Sequence, residues 1–102
     1  MLELIEHNRA ELDELCRAYH VRRLELFGSA TNGKFDPATS DLDFLLDFLP
    51  MEPSPHARSY FGLWAALREL FQRNVDLVET PAATNPYFLK AINQQRELLY
   101  AA

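Results

Sequence analysis

The stretch Asp41-Leu42-Asp43-Phe44-Leu45-Leu46-Asp47-Phe48 constrains this chain more than any other. Side chains of an extended strand alternate between two faces. Leu42, Phe44, Leu46 and Phe48 therefore share one face, and that uniformly large, apolar face predicts packing on a core. Asp41, Asp43, Leu45 and Asp47 share the other. Aspartate is depleted in strands, and close carboxylates repel and raise one another's pKa. Two chemistries accommodate Asp41 and Asp43 side by side. One is a half-exposed strand with a wet face. The other is a hard dication such as Mg²⁺, which takes one or two carboxylates together with substrate phosphates.

The residues just upstream favour the second. A short apolar strand over 24–27 runs into Gly28-Ser29, and two of the three glycines, Gly28 and Gly33, lie in the connection to Asp41. Glycine permits positive φ or close approach to a ligand. The Ser29 hydroxyl and neighbouring backbone N–H groups suit phosphate oxygens, aided by a helical turn over 29–32; Ser29 as a plain helix cap is the simpler alternative. Asp36-Pro37 predicts a turn, and Ser40 either hydrogen-bonds in front of Asp41 or ends that turn. The combination of strand, Gly-Ser, loop and Asp-x-Asp strand points to a nucleoside triphosphate held with two divalent metals.

The rest of the chain is read around that stretch. Residues 1–102 form one small domain. Helical spacing of Leu2, Ile5, Leu12, Leu15, Cys16 and Tyr19 predicts one amphipathic helix over 2–19, and 20–23 form the turn into the first strand. Pro50, Pro53 and Pro55 end the second strand and keep the next stretch irregular. A helix follows over about 56–73, with Tyr60, Leu63, Trp64, Leu67, Leu70 and Phe71 on its apolar face. VDLVE, 75–79, is a third strand, and its Asp76 joins Asp41 and Asp43 if the two strands are neighbours. Residues 80–86 read as a loop, Tyr87, Phe88, Ala91 and Ile92 as a short helix, and Leu98-Leu99-Tyr100 as a short terminal strand.

Composition narrows the partners. The net charge is −5, with ten Lys and Arg against fifteen Asp and Glu. That balance argues against direct grip on a nucleic-acid backbone. No apolar run reaches the ~20 residues of a membrane span. The single cysteine, on an apolar stripe, predicts a core thiol and an intracellular, cytoplasmic chain. His7, His20 and His56 are expected at the surface.

These motifs resemble the nucleotidyltransferase superfamily that includes DNA polymerase β, and more closely its minimal single-domain members. Gly28-Ser29 matches the family's Gly-Ser, Asp41 and Asp43 its metal-binding pair, and Asp76 its third carboxylate. Two positions depart from the pattern. Eleven residues rather than ten separate Ser29 from Asp41, and Asn32 stands where many members carry Arg. The tail NPYFLKAINQQRELLY resembles the antitoxin branch, whose partner is a helical HEPN-domain toxin.

The resemblance implies an α/β (α+β) fold like the polymerase β palm, with a small mixed sheet and helices packed mainly on one face. It implies two Mg²⁺ ions held by Asp41, Asp43 and Asp76, and nucleotide contacts from Gly28, Ser29 and Ser40. It implies transfer of AMP from ATP to a toxin tyrosine in a toxin–antitoxin pair, with the partner or a second copy of the chain completing the site. A non-catalytic antitoxin that acts by binding alone, and a transferase acting on a small molecule, are the alternatives.

Overall fold

A computed structural model describes residues 2–31, 33–79 and 96–102 of the 102. The loop expected over 80–86, the helix over 87–92 and Asn32 lie outside the described residues. The chain runs α1 (Glu3–His7), α2 (Arg9–Ala18), β1 (Val21–Phe27), a 3-10 turn (Gly28–Thr31), β2 (Leu42–Phe48), α3 (Pro53–Phe71), β3 (Val75–Glu79) and β4 (Glu97–Ala101). The strands form one sheet in the order β3-β2-β1-β4. β2 and β3 are parallel, and the other pairings are antiparallel. This is the mixed sheet that the family resemblance implies.

The alternation of β2 orders the core. Leu42, Phe44 and Leu46 are buried and meet Leu24 and Leu26 of β1, Leu12 and Cys16 of α2, and Leu63, Leu67 and Phe71 of α3 in one cluster. Phe44 and Phe71 stack with ring centroids 6.0 Å apart. Burial pushes the Cys16 thiol up to about 12, so it packs as a small apolar residue. Gly62 lets α2 and α3 approach closely: a Cβ there would lie 2.6 Å from Tyr19 Cε1.

The opposite face of the sheet carries Asp43, Leu45 and Asp47 facing Phe27, Glu25 and Arg23 across the β1–β2 pairing. That face is not wholly wet. Leu45 is only 3% exposed and Glu25 6%. Glu25 is buried because two guanidinium groups neutralise it, Arg23 Nε at 2.9 Å and Arg96 Nε at 3.1 Å.

Three expectations about elements need correction. The single helix over 2–19 breaks at Asn8, where φ is −110° and ψ 19°, and its side-chain amide donates to the Leu4 carbonyl at 2.8 Å. An asparagine that hydrogen-bonds the preceding turn competes with helix continuation. Residues 21–23 belong to β1 rather than to a turn, because His20 turns the chain by itself with φ 61°. Pro53 and Pro55 lie inside α3 rather than keeping the chain irregular, since first-turn N–H groups have no intrahelical acceptor to lose. Among the described residues no helix is long and apolar enough to cross a membrane.

One stripe of α3 fastens β3. His56 Nε2 lies 2.8 Å from Glu79 Oε2, Tyr60 donates to the Leu77 carbonyl, and Trp64 Nε1 donates to the Val75 carbonyl at 3.0 Å. Steps of four along a helix cover ~6.0 Å, and steps of two along a strand ~6.6 Å. The two repeats nearly match, so consecutive turns of α3 meet alternate residues of β3. β3 is an edge strand in the described sheet, and such edges otherwise present unpaired carbonyls.

Candidate functional site

The end of β1, the starts of β2 and β3, and the turns beside them lie at one end of the sheet. Asp43 of β2 is the parallel-register partner of Asp76 of β3. Adjacent strands stand ~4.8 Å apart, and these residues share the face turned away from the helices. Asp43 is half-buried and its carboxyl is pushed up to about 6. Burial is the largest cause, followed by the Asp76 charge, a hydrogen bond to the Asp76 carboxyl and the Asp41 charge. Asp41 immediately precedes β2 and is exposed; it acts on Asp43 by charge.

Among the described residues no three His, Cys, Asp or Glu side chains are gathered closely enough to form a metal cage. What stands here is the Asp43–Asp76 pair with Asp41 beside it. That donor set fits Mg²⁺, which needs one or two protein carboxylates and takes its remaining oxygens from phosphate and water. A divalent cation would also relieve the repulsion that raises Asp43.

Gly28 comes directly against this pair. Its φ is +76°, and a Cβ at this position would collide with Asp43 Oδ2. The backbone bend and the carboxylate are therefore in van der Waals contact, and only glycine lets them be so. The 3-10 turn from Gly28 to Thr31 is fixed by Thr31 Oγ1 donating to the Gly28 carbonyl at 2.9 Å. Ser29 sits on that turn, half-buried.

The connection into Asp41 is built from its own residues. Asp36 Oδ1 accepts from the Ala38 N–H at 2.9 Å, the Ser40 N–H donates to the Asp36 carbonyl at 2.8 Å, and the Asp36 N–H donates to Ser40 Oγ at 2.8 Å. The Ala38 N–H foremost, then the Thr39 hydroxyl, hold the Asp36 carboxyl below its ordinary value. The Ser40 hydroxyl thus closes the turn in front of Asp41, the plainer of the two roles read from the sequence.

Two contributions are not visible in the linear pattern. Arg73 Nη1 donates to the Ser40 carbonyl at 3.1 Å and Nη2 to the Pro37 carbonyl at 3.0 Å, with its guanidinium 5.1 Å from the Phe35 ring centroid. It ties the loop before Asp41 to the segment before β3, across more than thirty residues of sequence. The aromatics Tyr60 and Trp64 read from the sequence as core, yet their polar ends fix the strand that carries Asp76. The signal for them was the i, i+4, i+8 spacing of His56, Tyr60 and Trp64, three side chains with hydrogen-bonding tips.

Comparison with known proteins identifies the family and the fold. The family model described as "Polymerase beta, Nucleotidyltransferase" matches residues 10–102. No curated protein matches the chain by sequence. A solved structure of a minimal nucleotidyltransferase is 25% identical with a TM-score of 0.72, over 93% of this chain and 94% of that one. A toxin–antitoxin structure with AMP-PNP is 20% identical with a TM-score of 0.68, over 93% of this chain and 74% of that one. A tri-AMPylated Shewanella oneidensis HEPN toxin in complex with its MNT antitoxin is 19% identical with a TM-score of 0.64, over 95% and 72%. At those last two identities the likeness shows a shared fold.

Proposed function

Because this chain belongs to the polymerase β nucleotidyltransferase family, we propose that it is an antitoxin that transfers AMP from ATP to a tyrosine hydroxyl of a HEPN-domain toxin. The observation that carries the reading is the contact of Gly28 with Asp43, itself paired with Asp76. A phosphate-holding bend, a metal-binding carboxylate and a proton acceptor occupy one spot. Structural neighbours that are toxin–antitoxin complexes, one with AMP-PNP and one with a tri-AMPylated HEPN toxin, support the choice of nucleotide and partner.

In this reading the Asp43–Asp76 pair, with Asp41 beside it, would hold Mg²⁺ together with phosphate oxygens and water, and the metal would supply charge that neutralises the phosphates. Gly28 and Ser29 orient the departing pyrophosphate with their N–H and hydroxyl groups, and Ser40 keeps Asp41 facing the nucleotide. The tyrosine oxygen bonds to the α-phosphorus as the bond to pyrophosphate breaks. The phenolic proton passes to Asp76. A phenol of pKa ~10 needs such an acceptor at neutral pH. The small domain encloses little of a nucleotide, so the toxin or a second copy of the chain completes the site.

Incubation with α-labelled ATP, Mg²⁺ and toxin tests the assignment. Wild-type protein labels the toxin, and Asp43→Asn, folded by circular dichroism, does not. Equal labelling by the variant would refute it. Asn32 in the place of the family's Arg supports one second reading, inhibition by binding alone, because Asn offers a triphosphate no charge.

A further inference from the structure

We propose that Arg96 binds the outer phosphates of the nucleotide and supplies, from the β4 side of the sheet, the cation that Asn32 does not. The inference rests on the transfer reading above and adds the residue by which the site selects a triphosphate.

Strand pairing places Arg96. At the end of the sheet that carries Gly28, Asp76 of β3 pairs with Asp43 of β2, and Asp43 pairs with Phe27 of β1. On the other side of β1, Leu26 pairs with Glu97 of β4. The two strands are antiparallel, so Arg96, one residue before Glu97, flanks Phe27. Glu25 and Phe27 lie two residues apart on β1 and share the face of the acidic pair. Arg96 is on that face too, because its Nε lies 3.1 Å from Glu25 Oε2. One row thus runs Asp76, Asp43, Phe27, Arg96 across the sheet. Arg96 stands two strand spacings, ~9.6 Å, from Asp43, and the Gly28-Ser29 bend leaves β1 between them.

Charge gives this placement a use. Glu25 is buried and needs one cation, yet it has two. Arg23 is the first, and it pairs across β1–β2 with Asp47, at the far end from Gly28. Arg96 is the second, next to the bend. Two arginines against one glutamate leave a positive charge over, on a chain of net charge −5. The Arg96 side chain remains 36% exposed. A guanidinium carries five N–H donors in a fixed fork, so an Nε–H given to Glu25 leaves its other donors for phosphate oxygens. Glu25 also orders the arginine before any ligand arrives, which lowers the entropy lost on binding.

The nucleotide needs such a group on this side. Three carboxylates repel a polyphosphate, and Asn32 offers it no charge. With Gly28 and Ser29 orienting the departing pyrophosphate, the outer phosphates lie toward β1 and Arg96. A fixed cation there stabilises the charge that the leaving group gains as its bond to the α-phosphorus breaks.

Binding measurements test this without any transfer. Arg96→Gln and Arg23→Gln each remove one partner of Glu25 and form a matched pair. Each is titrated calorimetrically with α,β-methylene-ATP and with AMP, in Mg²⁺. Arg96→Gln should bind the triphosphate analogue about tenfold more weakly, the size of one lost charged hydrogen bond, and AMP within about twofold of wild type. Arg23→Gln should match wild type for both. Equal losses in the two variants would make Arg96 only a partner of Glu25 and overturn the proposal, as would no loss in Arg96→Gln or an equal loss for AMP.

Should Arg96→Gln fold poorly, Glu25→Gln removes the buried charge, and Arg96→Gln in that background should still cost the analogue about tenfold; no loss there rejects the assignment. Wild-type protein that binds the analogue but transfers no AMP refutes the transfer reading and leaves Arg96 in place. Wild-type protein that binds no triphosphate refutes both.

Discussion

Gly28 and Asp43 occupy the same few ångströms, and each limits what the other can be. Replacing Gly28 by Ala imposes positive φ on a residue with a side chain, at about 1–2 kcal/mol, and drives the new methyl into Asp43 Oδ2. Gly28→Ala should therefore unfold at lower urea concentration and lose AMP transfer on the order of a hundredfold, the usual penalty for displacing a reacting group. Gly33→Ala is the control: φ is +78° with nothing near the new methyl, so stability falls and transfer persists. Asp43 gives a second prediction. Its carboxyl titrates near 6 in the fold against 3.8 ordinarily, so the native state binds this proton more tightly than the unfolded chain does. The stabilisation it provides is complete below 3.8 and is lost as pH rises through about 6. Melting the metal-free protein and Asp43→Asn across that window should show the variant gaining relative stability with rising pH. Mg²⁺ at neutral pH should then stabilise wild type more than the variant; a constant difference at all pH values would contradict the shift. The candidate residues were legible because their chemistry is unusual: aspartates in a strand and glycine-serine after one. That Asp43 pairs with Asp76, while Asp41 stands apart from the contact, depends on register, which no local pattern encodes.

At the scale of elements, α3 does more than cover the sheet. Its polar-tipped stripe occupies the outward carbonyls of β3 and so sets the height at which Asp76 faces Asp43. Tyr60→Phe removes one of these hydrogen bonds while keeping the ring and should cost about 1 kcal/mol in chemical denaturation; Trp64→Phe removes the other together with part of the indole packed on the core and should cost more. Because both bonds act on the same strand, amides of β3 should exchange faster in either variant while those of β1 remain protected. Uniform exchange across the sheet would show that the stripe merely packs. β2 and β3 were legible from alternation alone, and α3 from its apolar face. Its start was not, since prolines stop a helix only beyond the first turn, and Pro53 and Pro55 lie within it. The break at Asn8 is not legible because the apolar spacing continues through it: Ile5 and Leu12 are both fully buried. Periodicity reports the buried face and not the hydrogen bonds beneath it.

The molecule as a whole joins sheet, helices and site through one core, with the site at the edge of that core rather than on a separate unit. Residues 1–102 should accordingly unfold as one domain, with fluorescence of Trp64, beside β3, and far-ultraviolet dichroism giving coincident transitions; separated transitions would divide it. The family and fold were legible because a handful of motif residues cover most of the chain. The central claim is chemical: an acidic pair against a glycine bend moves AMP onto a partner. Intact-mass measurement of the HEPN-domain toxin after incubation with this protein, ATP and Mg²⁺ tests it most directly. The account predicts toxin whose mass has increased by whole AMP units, on tyrosine, as its ribonuclease activity falls; toxin silenced at unchanged mass would contradict it.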